Sequence, residues 1–119
     1  MGRRPCLNNI LNIVRPILSE KCCVIVEGKN DAKALVKLGI PESRIFQSAQ
    51  ISYDKLEPLI ANFDVYIPMF DADRTGVHRL EKFLHYFSGM AIKIDMSYSE
   101  KLRSEGVVYI EGINRLIKI

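Results

Sequence analysis

Two spacings of apolar residues alternate along this chain. One is helical, with apolar side chains at every third or fourth position, and the other is a short apolar-rich run typical of a buried strand. The helical spacing predicts helices at 7–18, 30–38, 52–60, 75–87 and from Ser97 onward. The short runs predict about four strands, at 23–27, 44–47, 65–70 and 91–95, with 107–110 as a candidate for a fifth.

This alternation of strands and helices predicts an α/β protein of three layers (α/β/α), Rossmann-like, with a central parallel sheet and helices on both faces. Two strands end in acidic residues, Glu27 after the first and Asp71 with Asp73 after the third. These acids can act together only if their strands are neighbours, so we predict the strand order 2-1-3-4. Ligands bind where the strand order reverses, which places the expected site in the crevice between the first and third strands.

Several residues predict where elements begin, bend or pack. Asn30 is expected to cap the second helix. Pro58 is expected to bend or divide the third helix, and Pro68 to force a bulge in the third strand, because proline lacks a main-chain donor. The amphipathic N-terminal helix, about 7–18, is expected to pack on the domain rather than stand apart.

Composition indicates a single globular domain over residues 1–119, with 48% apolar and 26% charged residues. The net charge of +3 permits a nucleic-acid partner without requiring one. Cysteines 6, 22 and 23 lack C-x-x-C spacing, which argues against a zinc site or a disulfide framework and for free thiols in a reducing cytoplasm. The stretch 7–18 is too short and polar to span a bilayer and lacks a signal-peptide cleavage site, so we predict a cytoplasmic location and no membrane partner.

The acidic strand ends predict a metal site. Asp71 and Asp73 are two residues apart in an extended segment, so their carboxylates should lie on the same side. Glu27 would face them across the crevice. Carboxylate oxygens, completed by water and substrate phosphate, are what Mg²⁺ accepts, with Mn²⁺ as the second choice. We therefore predict Asp71, Asp73 and Glu27 as metal ligands.

Residues next to the acids predict phosphate contacts. Glu27 is the candidate to move a proton, and Lys29, a natural phosphate contact, completes the predicted catalytic pair. Gly28 allows a sharp turn and close approach of a substrate. Helix N-termini favour anions. The predicted phosphate-binding set is therefore Gly28, Lys29, Arg74, Gly76 and Arg79.

Other polar and aromatic residues carry weaker signals. Asp31 fits a helix-start charge as well as it fits a ligand. Asp95 and Glu111 also end predicted strands, but they lack a partner at a useful spacing and are predicted to be structural. Tyr53 and Tyr98 are candidates for stacking on bases.

Two motifs in the chain resemble those of the Toprim domain. The segment from Val24 to Asp31, followed by Ala34-Leu35 and Leu38-Gly39, resembles its first motif, and the segment from Asp71 to Gly76 resembles its D-x-D-x-x-G motif. The resemblance covers about 22–112, and the close at 110–113 is similar to that of small stand-alone archaeal Toprim proteins.

This resemblance implies a Toprim fold, a general acid/base or metal-holding role for Glu27, and Mg²⁺ binding by Asp71 and Asp73. Toprim domains occur in primases, topoisomerases, OLD-family nucleases, recombination proteins and the ribonuclease that matures 5S rRNA. The chain carries neither the DNA-gripping parts nor the tyrosine nucleophile of primases and topoisomerases, so the maturation ribonuclease is the nearest active model. Pro68 departs from the ordinary strand that precedes the aspartates in the family.

Three functions remain open from the sequence. The first is a small Mg²⁺-dependent nuclease, a phosphodiester hydrolase that acts on RNA in preference to DNA. The second is a non-catalytic nucleic-acid-binding subunit of an RNA- or DNA-processing assembly. The third is a phospho-receiver domain, which ranks last because the first strand ends in one glutamate rather than an acidic pair. The natural substrate and the oligomeric state stay open.

Overall fold

The computed structural model describes residues 4–49 and 51–117. The α-helices are α1 (Leu7–Val14), α2 (Lys29–Lys37), α3 (Tyr53–Ile60), α4 (Arg74–Phe87) and α5 (Ser97–Ser104). The strands are β1 (Cys22–Val26), β2 (Ile45–Gln47), β3 (Val65–Pro68) and β4 (Lys93–Ile94). Short 3₁₀ helices occupy Arg15–Ser19, Glu42–Arg44 and Ile110–Leu116. Within the described part of the chain, no helix is both long enough and apolar enough to cross a membrane.

The four strands form one parallel sheet in the order β2-β1-β3-β4. This confirms the predicted α/β class, the strand order 2-1-3-4 and the N-terminal helix. The candidate fifth strand is wrong. In the segment 107–110 the Val108 carbonyl accepts the Ala72 N–H at 2.7 Å, and the Ile110 N–H goes to the Asp71 side chain at 2.9 Å, so its main chain serves the end of β3 instead of a ladder.

Side chains of β1 alternate between two cores, one on each face of the sheet. Cys22, Val24 and Val26 join the core supplied by α1, α2, α5 and the last 3₁₀ helix. Cys23 and Ile25 join the core supplied by α3 and α4, which is rich in aromatic rings. β1 is fully buried because it is central and covered on both faces, which is why its sequence is apolar without alternation.

Pro68 fits the sheet without the expected bulge. The β1–β3 register runs uninterrupted to Ile25 opposite Pro68, so the predicted bulge is wrong. The Asp95 N–H donates to the main-chain carbonyl of Tyr66 at 2.9 Å, so the main-chain groups of Tyr66 point toward β4. Main-chain groups alternate along a strand with a period of two, so those of Pro68 point the same way. Since β4 ends at Ile94, opposite Tyr66, the missing N–H of Pro68 faces a position where no strand residue needs it.

Two expectations about helix boundaries also need correction. Asn30 lies inside the first turn of α2, and the capping residue is Gly28, whose N–H donates to the Asp31 carboxylate at 3.1 Å. Pro58 does not divide α3, which continues from Tyr53 to Ile60 as one short helix. The N-terminal helix changes at Arg15 to a 3₁₀ helix with Pro16 in its first turn.

Gly76 determines how closely α4 approaches the end of β3. It is buried, and a Cβ atom built on it would overlap the carbonyl oxygen of Asp71. A side chain here would push the start of α4 away from the backbone of Asp71. Gly76 therefore sets the distance between the helix and the acidic strand end.

We predict that Gly76→Ala lowers the free energy of unfolding by on the order of 3 kcal/mol, because the methyl group meets backbone rather than a flexible side chain. Gly28→Ala is the matched control, since nothing lies within 4 Å of a Cβ at that position and the change should stay within about 1 kcal/mol. Chemical denaturation of both variants checks this. Equal losses in the two would contradict the close approach.

Candidate functional site

The pairing of β1 with β3 brings Glu27 next to Asp71. The ladder extends past the strands through the Met69 N–H, which donates to the Ile25 carbonyl at 2.8 Å. Glu27 follows β1 directly, and Asp71 lies three residues beyond β3. Repulsion from the negative charge of Asp71 raises the pKa of Glu27, and the nearby Asp71 main-chain N–H opposes this rise. The two predicted acids therefore meet in the crevice between the neighbouring strands.

Glu27 is a mostly buried carboxylate whose charge is only partly compensated. Its side chain is 14% exposed, and its Oε2 atom lies 3.8 Å from Nη1 of Arg79. Its Oε1 atom is buried and has no hydrogen-bond partner among the described residues. Burial raises the pKa of Glu27, and repulsion from Asp71 raises it further, while Arg79 acts in the opposite direction.

Asp71 is half-buried, and one of its oxygens is fixed by the scaffold. Its Oδ1 atom accepts the Ile110 N–H at 2.9 Å. Burial raises the pKa of Asp71; the Ile110 hydrogen bond opposes this, whereas the charges of Asp73 and Glu111 add to it. The C-terminal 3₁₀ helix therefore both holds Asp71 in place and contributes negative charge beside it.

Asp73 is the N-terminal capping residue of α4. Its Oδ1 atom accepts the Gly76 N–H at 2.7 Å, which caps α4. The N–H of Gly76 is thereby engaged, so it is not offered to a phosphate. Each aspartate still has a second carboxylate oxygen, and these two atoms are what Asp71 and Asp73 can offer to a cation.

Two acids outside the predicted set lie beside the pair. Asp31 is 6% exposed, and its pKa is raised by burial, with contributions from the charges of Asp71 and Glu111 that its hydrogen bond to Gly28 opposes. Glu111 lies in the first turn of the last 3₁₀ helix. Spacing signals Asp31, because a carboxylate three residues after a helix cap is a capping-box pattern. Glu111 follows a predicted strand, but it has no partner at a useful spacing, so the sequence does not indicate that it reaches Asp71 from a remote segment.

The predicted phosphate-binding residues lie on both sides of the crevice. Lys29 is exposed at the first turn of α2, and Arg74 is exposed at the first turn of α4. These helices pack on opposite faces of the sheet. Arg79 is partly exposed and approaches Glu27. Gly28 has open space where a side chain would stand.

The tyrosines suggested for base stacking are placed elsewhere. Tyr53 packs its ring against Phe83 and Phe87 in the aromatic core. Tyr98 is 5% exposed in the opposite core. The exposed aromatic side chain near the acids is Tyr109, which is 50% exposed and precedes the Ile110 N–H that binds Asp71.

The acidic residues fit a hard divalent cation in their chemistry. The site offers carboxylate oxygens, a buried Oε1 atom on Glu27 with no partner among the described residues, and two carboxyls whose raised pKa values reflect burial and repulsion. With the side chains as placed, residues 4–49 and 51–117 contain no group of three histidine, cysteine, aspartate or glutamate side chains arranged to hold a metal. A cation bound by Glu27, Asp71 and Asp73 would therefore require their free oxygens to reorient toward it.

Comparison with known proteins gives a fold relative and no family. No protein-family model matches the chain, and no curated protein matches it. A solved structure of a protein from Aquifex aeolicus is similar, with a TM-score of 0.77 and 24% sequence identity. The similarity covers 92% of this chain and 99% of that one. At this identity the likeness extends to the fold alone.

We predict that Glu27→Gln raises the melting temperature at neutral pH by about 2–4 °C. The folded-state pKa of Glu27 lies above its unfolded value, so the folded state binds more protons between the two. Stability of the wild type should fall as pH rises through that window, and the advantage of the variant should grow over the same range.

Thermal melting of wild type and variant from about pH 4 to pH 8, which spans the ordinary carboxyl range and neutrality, measures this. Glu81→Gln, which changes an exposed glutamate on α4, is the control and should show no such trend. A Glu27→Gln variant that melts at or below the wild-type temperature at pH 7 would refute the incomplete compensation of the Glu27 charge.

Proposed function

We propose that this protein is a Mg²⁺-dependent phosphodiester hydrolase that acts on RNA in preference to DNA. The observation that carries the proposal is the partly buried Glu27–Asp71 pair in the crevice where the order of a parallel sheet reverses. The Oε1 atom of Glu27 there has no hydrogen-bond partner among the described residues. Flanking cations on α2 and α4 and the resemblance of both acidic motifs to the Toprim domain support the same reading.

In this proposal Asp71 and Asp73 hold the ion through the oxygens that the scaffold does not use. Mn²⁺ is the second ion that the same oxygens would accept. Such an ion neutralises phosphate charge and stabilises the charge that develops in the transition state. Lys29, Arg74 and Arg79 contact phosphates of the strand and orient it. The partner is a nucleic acid, and the three cysteines, all free thiols, are consistent with a reducing cytoplasm.

Glu27 has two proposed roles, ligand and proton carrier, and its environment supports the second. Its raised pKa, caused by burial and by Asp71, brings it closer to the range in which a carboxyl exchanges protons at neutral pH. The oxygen of water forms a bond to phosphorus while the bond to the leaving oxygen breaks. Glu27 takes a proton from the attacking water, and the leaving oxygen takes a proton from solvent.

A non-catalytic nucleic-acid-binding subunit is the second candidate. It is favoured by the carboxylates that are committed to the scaffold, Asp73 to the α4 cap and Asp71 to Ile110. In that case the acids would serve stability and orientation, and the cations would serve binding. Turnover separates the two candidates, because both predict association with a nucleic acid.

We predict that Mg²⁺ raises the melting temperature of the wild type at pH 7 and that Asp71→Asn abolishes this effect. Asparagine still offers an oxygen to Ile110, so the variant should keep its fold while losing a charge. At a Mg²⁺ concentration 100 times the dissociation constant, binding should add about 2.7 kcal/mol of stability. An equal rise in both proteins would place the bound ion elsewhere.

We also predict that the protein cleaves structured RNA in Mg²⁺, that chelation stops the reaction, and that Glu27→Gln and Asp71→Asn each lower the rate at least about 100-fold. A mixed panel of labelled RNAs and DNAs in Mg²⁺ and Mn²⁺ measures it. Cleavage that persists in both variants would contradict the catalytic roles proposed for Glu27 and Asp71. Binding without turnover in either metal would select the non-catalytic candidate.

A further inference from the structure

A groove with a basic rim begins at the candidate site and follows α2. Its volume is about 520 Å³, and it lies between α2 and the segment that carries β2. We call it the α2 groove. It is lined by Gly28, Lys29, Ala32, Lys33, Val36, Lys37, Glu42, Gln47 and Ala49.

Three lysines, Lys29, Lys33 and Lys37, occupy every fourth position of α2 along this groove. All three are exposed, and they lie on one face of the helix, about 6 Å apart along its axis. Glu42 is the acidic residue among the groove's lining. The lining therefore carries a net positive charge arranged as a line, which matches the line of charges on a nucleic-acid strand better than it matches a single anion.

The groove also has an apolar floor. Ala32 and Val36 of α2 and Ala49, which follows β2, also line the groove, and Val36 is 43% exposed. A free phosphate ion makes no favourable contact with apolar surface, whereas a nucleotide strand presents sugars and base faces beside its phosphates. An ordinary solvated helix face would show lysines without a groove or an exposed valine at its floor.

One end of the groove is part of the candidate site. Gly28 lines the groove, and it follows Glu27 directly. The Ala49 N–H donates to the main-chain carbonyl of Glu27 at 3.0 Å, so the opposite wall is attached to the same strand end. A strand whose phosphate sits at Glu27 and Asp71 would therefore meet the groove on leaving the crevice.

We propose that the α2 groove binds a single-stranded nucleic-acid segment that flanks the reacting phosphate, with Lys33 and Lys37 contacting its successive phosphates. A groove of this volume is of small-ligand size, which favours a single strand over the wider duplex. This inference rests on the proposed function, because the acidic site defines the strand that continues into the groove.

Binding of a labelled single-stranded RNA to the intact protein in chelator tests the groove without any catalysis. The Lys33→Ala/Lys37→Ala variant should reduce the slope of log affinity against log salt by about 1.4, since each phosphate contact on a single strand contributes about 0.7. If variant and wild type bind equally at 1 M salt, this corresponds to about 25-fold weaker binding at 0.1 M.

Lys21→Ala/Lys93→Ala is the matched control. It removes the same charge from exposed lysines at the opposite end of the sheet, where Lys21 precedes β1 and Lys93 begins β4. Its salt slope should stay near that of the wild type. Glu42→Gln removes the acid that lines the groove and should strengthen binding.

Equal salt slopes in the two double-lysine variants would overturn the groove proposal, as would duplex RNA binding more tightly than the single strand, or no detectable RNA binding by the wild type. The proposed hydrolase activity fails separately. If the wild type does not cleave RNA in Mg²⁺ but the slope still drops only in Lys33→Ala/Lys37→Ala, the groove stands and the catalytic assignment falls.

Discussion

The parallel pairing of β1 with β3 is the constraint on which the site depends. It carries Glu27 and Asp71 to the same edge of the sheet and presses two carboxyls together in a partly buried crevice. The two acids are 44 positions apart in the sequence, and this pairing places them side by side. Burial and mutual repulsion disfavour their charged forms, and Arg79 offsets this only in part at 3.8 Å. The crevice therefore favours a positive charge close to Glu27 and Asp71.

Main-chain hydrogen bonds offset part of the negative charge of the two aspartates. The Ile110 N–H holds one oxygen of Asp71, and the Gly76 N–H holds one oxygen of Asp73. Gly76 is also where α4 comes close to the Asp71 backbone, so one residue serves both the cap and the approach. The folded chain therefore fixes one oxygen of each aspartate, while the other oxygens would have to reorient toward a cation.

The sheet was predictable because its information is local and repeated. An unbroken apolar run predicts β1, and a helix after each strand end implies parallel pairing, so the order 2-1-3-4 follows once the acids are required to meet. Pro68 misled because a missing donor matters only if a neighbouring strand faces it, and β4 ends before that point. Glu111 could not be found from spacing, since a turn in the last segment brings it to the site.

Placing two charged carboxyls in the crevice is energetically unfavourable, so the residues around them bear on function. A protein that needed only stability would replace Glu27 with a neutral residue, since a buried oxygen without a partner among the described residues contributes nothing to folding. Stability alone also gives no reason for three lysines of α2 to line a groove that starts at Gly28. Under the proposed function, the partly compensated acid pair and the line of lysines leading away from it would complement a polyanion bound through a divalent cation. Neither feature alone has this meaning, because each occurs separately on ordinary surfaces, and it is their shared end at the tip of β1 that relates them.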